Sequence, residues 1–300
     1  LNTSHLSITG LEEWLERIQS FYARSAKTLP VVLDLQGSKW RLGKFETVGL
    51  IEGQSIDLVC CETVDKPGVL PVPHRDFFTA AAVSGTEIVL SDAKIRLQME
   101  SVGADWMKAR VILGGMISSN KGITYVSSVF RQETLGEKDR AILSQMAGLD
   151  FIRYAISYVK DAQELKNFRA QVDLLRPDPA RKPYIVAKLE RQPAVDEAVE
   201  IARWVDELWL CRGDLGAELG IPGMAAAAYQ FTRRVREIPI PVILAGQVLE
   251  HMVVSPSPTR SEVYTLYDAL QNGYSGFVLS DEVAIGQYPL ESCLAAAMFR

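Results

Sequence analysis

Two apolar runs that end in charged residues decide the fold of this 300-residue chain. The first is Val186-Ala187-Lys188-Leu189-Glu190, and the second is Leu210-Cys211-Arg212-Gly213-Asp214-Leu215-Gly216. An apolar run that closes in a charge is typical of a parallel strand that delivers a polar group to the carboxyl edge of its sheet. Glu190 and Asp214 would offer the hard oxygen ligands that Mg²⁺ prefers, and Lys188 would offer a point charge for a phosphoryl group.

The same alternation of strand-like and helix-like segments recurs along the second half of the chain. The strand-like segments are Phe151 to Ser157, Tyr184 to Lys188, Leu208 to Cys211, Pro241 to Ala245 and Gly276 to Ser280. The helix-like segments are Asp161 to Leu175, Ala194 to Trp204, Ala225 to Arg236 and Arg260 to Gln271. Repeated β-then-α units predict an α/β fold with a parallel sheet, and the charged strand ends favour a closed TIM-type (β/α)8 barrel.

The first half of the chain contains two kinds of sequence pattern. Residues 9–12 have a capping-box pattern before a helical apolar repeat, and Pro30 to Leu35 resembles a buried strand. From about Gly43 to Thr124, short alternating segments separated by Gly and Pro predict a small β-rich domain. We therefore expect barrel parts at residues 1–42 and 125–300 and an inserted lid at residues 43–124.

Composition excludes several classes of protein. A hydrophobic content of 48% with 23% charged residues is ordinary for a well-cored soluble protein, and the formal net charge of −5 argues against extensive nucleic-acid binding. The four cysteines, Cys60, Cys61, Cys211 and Cys293, lack metal-ligand spacing, which favours a reduced, cytoplasmic location. No apolar stretch reaches the roughly 18 residues of a membrane span.

Several motifs, in order along the chain and including the two quoted above, resemble those of one known family, pyruvate kinase. They are Leu1 to His5, Asp34 to Arg41, Ile88 to Leu97, Gly114 to Gly122, Val186 to Glu190, Arg212 to Gly216, Pro258 to Glu262, and Leu279 to Glu282 followed by Tyr288-Pro289. The resemblance covers nearly the whole chain, but the family's first barrel strand with its helix and its C-terminal regulatory domain have no counterpart in the given sequence. We therefore expect either a fragment of a longer protein or a divergent member with altered architecture. The resemblance implies transfer of a phosphoryl group from phosphoenolpyruvate to ADP, giving pyruvate and ATP, in a protein that forms homo-oligomers.

The resemblance also implies roles for individual residues. It assigns catalysis to Lys188, Arg41 and Ser280; Mg²⁺ or Mn²⁺ binding to Glu190 and Asp214; substrate binding to Gly213, Asp214, Asn2, Ser4 and Lys121; and nucleotide binding to Arg41, Asp92 and Lys121. Lys39 stands where many relatives carry Glu, and the segment resembles the branch that does not require K⁺. We therefore expect the Lys39 ammonium, with Asp34 nearby, to replace a bound K⁺.

Departures from the family pattern keep two alternatives open. Gly246 stands where the family carries Thr, and Ile285 stands where it usually carries Lys. One alternative is a metal-dependent lyase of the phosphoenolpyruvate and pyruvate barrel group, which needs the same two carboxylates but no lid. The other is a catalytically impaired homologue that binds a metabolite or a partner protein.

Overall fold

The computed structural model describes residues 1–25, 28–84, 87–91, 94–126, 135–175 and 182–299. The strands, in chain order, are β1 Val31–Leu35, β2 Val48–Leu50, β3 Ser55–Val59, β4 Val69–Pro71, β5 Glu87–Leu90, β6 Ile95–Val102, β7 Trp106–Leu113, β8 Gly115–Ile117, β9 Ile123–Tyr125, β10 Ile152–Ile156, β11 Tyr184–Leu189, β12 Glu207–Cys211, β13 Val242–Ala245 and β14 Gly276–Val278. The helices are α1 Ile8–Tyr22, α2 Arg75–Ser84, α3 Glu137–Met146, α4 Ala162–Leu175, α5 Gln192–Asp196, α6 Ala198–Ile201, α7 Arg212–Thr232, α8 Arg260–Asn272, α9 Asp281–Ala284 and α10 Pro289–Ala296.

A curled, fully parallel sheet forms one half of the molecule and confirms the α/β prediction. Its six strands lie in the order β1-β10-β11-β12-β13-β14, so all their carboxyl ends meet at one edge. Val, Ile and Leu side chains are buried along these strands because helices cover the sheet. Within the described residues the sheet is a half-barrel, and Asn2 extends it beyond β1 only as an isolated bridge to Asp34.

A second sheet with its own hydrophobic core corresponds to the predicted lid. Its strands lie in the order β4-β3-β7-β6-β5-β9, and β2 pairs with β8 in a separate ribbon. Trp40, Phe77 and Tyr125 lie at the centre of this core, where the Phe77 and Tyr125 rings stack with centroids 4.6 Å apart. The Tyr125 hydroxyl donates to the Phe77 carbonyl oxygen at 2.9 Å, so the one polar atom of this buried side chain has a hydrogen-bond partner. The domain limits at residues 42 and 124 remain proposals.

Three helix predictions were wrong in detail. Ser7, and not Thr9, is the N-cap of α1, because its side chain accepts the Gly10 N–H at 3.0 Å. The predicted helix from Ala194 to Trp204 is split into α5 and α6 at Glu197. Within α7, Gly220 has a non-helical backbone with φ of +70° and ψ of 165°, which divides Arg212–Thr232 into two helical parts. The helix predicted from Ala225 is the second part and begins before Ala225, and the first part was not predicted.

A buried carboxylate joins the end of β1 to helix α3. Asp139 accepts the Gln36 N–H at 3.1 Å and the Gly37 N–H at 2.9 Å. Gly37 has a φ of +62°, and a Cβ there would lie 2.1 Å from the Ser157 carbonyl oxygen. The chain leaving β1 therefore passes in close contact with the chain leaving β10, and only glycine allows that approach.

None of the helices in the described ranges combines the length and the apolar character needed to cross a membrane.

We expect Asp139→Ala to lower the free energy of unfolding by roughly 2–3 kcal/mol, because two buried N–H groups lose their acceptor. Urea unfolding followed by circular dichroism measures this difference. Glu137→Ala is the matched control, since Glu137 is an exposed residue in the first turn of the same helix. Equal losses of unfolding free energy in the two variants would contradict a stabilising role for the hydrogen bonds from Gln36 and Gly37 to Asp139.

Candidate functional site

The carboxyl edge of the parallel sheet faces the lid across a small cavity of about 160 Å³. Strand ends β1, β10 and β11, the start of α7, and the segments that enter and leave the lid all contribute side chains. The residues that line the cavity are Asn2, Ser4, Asp34, Lys39, Arg41, Ser91, Lys121, Gly122, Ser157, Tyr158, Lys188, Glu190 and Asp214. The structure thus brings together residues that the sequence predicted from five separate motifs.

The Lys188 ammonium lies at the centre of this group. Its Nζ is 3.1 Å and 3.2 Å from the two carboxylate oxygens of Asp34 and 3.0 Å from Glu190 Oε1. It also donates to Ser157 Oγ at 3.1 Å. Burial alone would lower the pKa of Lys188, but the two carboxylates raise that pKa well above its ordinary value. Lys188 therefore remains a fixed positive charge.

Glu190 is almost fully buried and is held by two donors. Lys188 bonds Oε1, and the backbone N–H of Tyr158 donates to Oε2 at 2.6 Å. Burial raises the pKa of Glu190 above its ordinary value; the charge of Lys188 opposes this rise and that of Asp214 adds to it. A cation placed beside Glu190 would stabilise its ionised form.

Asp214 lies in the first turn of α7, one residue after Gly213. Its Oδ1 forms an ion pair with Lys39 and accepts the Tyr158 hydroxyl at 2.8 Å. Burial alone would raise the pKa of Asp214, but Lys39, Lys188 and the Tyr158 hydroxyl together hold that pKa well below its ordinary value. Asp214 is therefore ionised and able to act as an oxygen ligand.

The donor set fits a divalent cation that completes its coordination with substrate oxygens and water. Three carboxylates, those of Asp34, Glu190 and Asp214, contact only two ammonium groups among the described residues, Lys39 and Lys188, whereas the other two cations of the cavity, Arg41 and Lys121, pair with none of them. Within the described residues, Asp214 Oδ2 accepts no hydrogen bond, and no group of three or more potential ligands forms a ready-made metal cage. Mg²⁺ is commonly held by only one or two carboxylates together with substrate phosphates.

Arg41 and Lys121 provide positive charge at the side of the cavity formed by the lid segments. Arg41 Nη1 donates to the Asn120 carbonyl oxygen at 3.1 Å, and its buried Nε has no acceptor within the described part of the chain. A buried donor without an acceptor is costly, so an anionic oxygen of a ligand would stabilise it. Asp92, predicted to bind nucleotide, lies outside the described residues.

Lys39 and Asp34 line the same cavity, together with Asn2 and Ser4. The Lys39 ammonium pairs with Asp214, whereas Asp34 pairs with Lys188. The replacement of K⁺ by Lys39 stays a prediction.

Gly213 and Ser280 lie at the carboxyl edge of the sheet but do not line the cavity. The Ser280 N–H donates to Glu282 Oε2 at 2.9 Å, and the buried Glu282 also accepts the Leu249 N–H at 3.2 Å. These contacts tie loops together, and the structure does not bring Ser280 to Lys188. Ile285 is 75% exposed.

Ser157 and Tyr158 belong to the site but were missed by the sequence prediction. Both directly follow β10, and Ser157 Oγ lies 2.8 Å from the Leu35 carbonyl oxygen and contacts Lys188. The signal was present, because polar residues after an apolar strand were the criterion that selected Lys188 and Glu190. The predicted strand from Phe151 to Ser157 includes Ser157, whereas β10 ends at Ile156.

Gly246 adopts a backbone conformation that other residues rarely adopt. Its φ is +84°, and a Cβ would lie 3.0 Å from the Gly213 nitrogen. The Arg212 guanidinium donates to the Gly246 carbonyl oxygen at 2.7 Å and 3.1 Å, which fixes this turn against the start of α7. A threonine at position 246 would therefore be strained in this backbone conformation.

Comparison with known proteins identifies the same similarity over almost the whole chain. Residues 1–293 match the family model described as pyruvate kinase, barrel domain. A pyruvate kinase of Methylorubrum extorquens is 31% identical over 296 residues, with 97% of this chain and 60% of the relative covered. A pyruvate kinase of Aeropyrum pernix is 32% identical over 295 residues, with 97% and 62% covered.

Solved structures share the fold. A pyruvate kinase from Pyrobaculum aerophilum superposes with a TM-score of 0.78 at 25% identity, covering 99% of this chain and 65% of that one. A pyruvate kinase from Cryptosporidium parvum gives a TM-score of 0.79 at 22% identity, covering 99% and 62%. This chain thus spans about three fifths of the length of the curated relatives it matches.

We expect Gly246→Thr to lower the free energy of unfolding by roughly 1–3 kcal/mol, because a β-branched residue at this φ is strained. The added hydroxyl should therefore bring no gain in activity. Urea unfolding measures the loss. Gly148→Thr is the control, since a Cβ at Gly148 meets no atom within 4 Å and its φ is not positive. A Gly246→Thr protein as stable as the original chain would contradict the strain.

Proposed function

Since this chain belongs to the pyruvate kinase family, we propose that it transfers the phosphoryl group of phosphoenolpyruvate to ADP and so forms pyruvate and ATP. The observation that carries this proposal is the Lys188 ammonium, held between Asp34 and Glu190 in the cavity between the sheet and the lid. Phosphoryl transfer requires mainly positioning and neutralisation of charge. The cavity contains both the anionic ligands for a cation and the cations for a phosphate.

Glu190 and Asp214 would hold Mg²⁺ or Mn²⁺, which when bound neutralises charge that develops on the substrate oxygens. Lys188 stabilises negative charge on the phosphoryl group, and its two carboxylate partners fix its position. Arg41 donates its N–H groups to a phosphate oxygen, and Lys121 adds positive charge on the lid side. Asn2 and Ser4 border the substrate, and the N–H of Asp214 at the start of α7 orients its carboxylate. The same role for Gly213, which does not line the cavity, stays a sequence prediction. The nucleotide role of Asp92 and a proton-relay role of Ser280 remain sequence predictions.

Lys39 supports the further proposal that K⁺ is not required. Its ammonium already supplies a monovalent positive charge in the cluster, where it pairs with Asp214 and lies 4.8 Å from the centre of the Tyr158 ring. A bound K⁺ would add a second such charge to a volume of about 160 Å³. The resident ammonium therefore replaces the ion without the cost of binding it.

The lid supports the kinase over the lyase alternative. A separate sheet with its own core faces the cavity and contributes Lys121, which a barrel lyase would not need. The impaired-homologue alternative is favoured by the glycine conformation at Gly246 and by the exposed Ile285. Homo-oligomer formation and a cytoplasmic location are predictions that accompany the kinase proposal.

We expect the 300-residue chain to form ATP from phosphoenolpyruvate and ADP with Mg²⁺, and Lys188→Met to lower kcat roughly 10²–10³-fold by removing a charge that stabilises the transition state. Lys108→Met is the control, because Lys108 is exposed on β7. Circular dichroism verifies that each variant is folded. Turnover of the original chain no higher than that of Lys188→Met would exclude an active kinase, and enolate exchange without ATP formation would favour the lyase.

We expect the original chain to be fully active in K⁺-free buffer and Lys39→Met to become dependent on added KCl, because the substitution removes the resident charge. Initial rates with KCl are compared with rates in tetramethylammonium chloride at the same ionic strength, which separates binding from screening. The control is Lys44→Met, an exposed lysine on the same segment. A many-fold rise in the activity of the original chain on adding KCl would contradict the replacement.

A further inference from the structure

Tyr158 is a buried aromatic residue in a strained conformation at the centre of the polar cluster. It is the second residue after β10, its exposure is 5%, and its φ is +61°. A bulky residue rarely adopts a positive φ, and strain of this kind persists only where surrounding contacts impose it. The contacts of Tyr158 therefore indicate what the strain achieves.

The two polar ends of Tyr158 hold the two carboxylates that we assign to the divalent cation. Its backbone N–H donates to Glu190 Oε2 at 2.6 Å, and its hydroxyl donates to Asp214 Oδ1 at 2.8 Å. Neither contact adds positive charge to the cluster, because the peptide N–H and the phenol are both neutral donors. Burial, with a further contribution from the Asp214 charge, raises the pKa of the Tyr158 phenol well above its ordinary value, so the phenol keeps its proton.

A third contact connects the phenol to the lid. Thr124 Oγ1, on β9, lies 3.5 Å from the Tyr158 hydroxyl oxygen. The phenol has one proton, which it gives to Asp214, so in this contact Thr124 is the donor. The hydrogen bonds then run from Thr124 to Tyr158 and from Tyr158 to Asp214, so the phenol proton points toward the carboxylate.

The ring of Tyr158 lies beside two cations. Lys39 Nζ is 4.8 Å and Arg191 Cζ is 4.6 Å from the ring centroid. Lys39 also binds Asp214 Oδ1, the same oxygen that accepts the phenol. Two donors thus fix one oxygen of Asp214, and within the described residues the other oxygen, Oδ2, accepts no hydrogen bond.

We propose that Tyr158 is a positioning residue, whose hydroxyl fixes Oδ1 of Asp214 and so presents Oδ2 to a divalent cation. This role rests on the metal site of the proposed function and goes beyond it, since it acts before any substrate binds. The strained backbone is required because one residue must reach both Glu190 and Asp214.

The test compares Mn²⁺ binding by the original chain and by Tyr158→Phe, without substrates, from the electron paramagnetic resonance signal of free Mn²⁺. Loss of an orienting hydrogen bond to a metal ligand should raise the Kd about tenfold. Tyr274→Phe is the matched control, because it removes a buried hydroxyl that contacts Thr232 Oγ1 at 3.0 Å, away from the cavity. We expect its Kd to remain within about twofold of the original, as its hydroxyl orients no proposed ligand.

A second arm tests whether the phenol acts as a donor. Incorporation of 4-aminophenylalanine at position 158 restores an N–H donor at the same place on the ring, and we expect it to recover most of the lost Mn²⁺ affinity. Mn²⁺ affinity of Tyr158→Phe equal to that of the original chain would overturn the role, and so would failure of the amino variant to recover affinity. If Tyr158→Phe does not fold, the same titration on a chain with 4-fluorophenylalanine at position 158 decides, because the fluorine fills the place of the hydroxyl but cannot donate, and an unchanged Kd overturns the role.

The outcomes separate this role from the proposed activity. An original chain that binds Mn²⁺ and responds to Tyr158→Phe but forms no ATP would overturn the kinase proposal and support the positioning role. An original chain that forms ATP but shows no response of Mn²⁺ affinity to Tyr158→Phe would do the reverse. An original chain that binds no Mn²⁺ would overturn both the metal site and the role of Tyr158.

Discussion

The buried Lys188 ammonium is the interaction on which the rest of the site depends. Burying a charged group away from water costs roughly several kcal/mol unless polar partners surround it. Lys188 is surrounded by Asp34, Glu190 and Ser157. These partners come from three neighbouring strands, so the parallel sheet must be in register for the ammonium to be stable. The fold and the candidate site are therefore parts of one electrostatic arrangement.

Backbone conformations that most residues avoid occur where the chain leaves the strands that form this site. Gly37 follows β1, Tyr158 follows β10 and Gly246 follows β13, and each has a positive φ. Each turn is fixed by a charged group, since Asp139 binds the N–H of Gly37, Glu190 binds the N–H of Tyr158, and Arg212 binds the carbonyl oxygen of Gly246. Strain concentrated at one edge of a sheet is typical of a functional surface.

The sequence predicted the parallel strands and the group around Lys188 because a short apolar run that ends in a charge indicates, from neighbouring residues alone, a buried strand with a polar group at its end. It did not predict the partner of Lys39, since Lys39 and Asp214 are 175 positions apart and several acids were equally suitable by sequence. It missed the first helical part of α7 because Cys211 offers no side-chain cap, so no N-cap signal marks the start of that helix. Ser280 was selected by motif alone, and its N–H is bound to Glu282 away from the cavity.

The balance of charge explains why a neutral donor at Tyr158 matters. Three carboxylates contact only two ammonium groups among the described residues, which favours a divalent cation beside them, whereas Arg41 and Lys121 on the lid side of the cavity favour an anionic phosphate. A cationic side chain at position 158 would add positive charge beside Asp214 and compete with the metal for that carboxylate. A phenol orients the carboxylate without adding charge, so the cluster keeps its attraction for a cation. Arg41, with its buried Nε lacking an acceptor in the described part of the chain, is suited to the phosphate that follows.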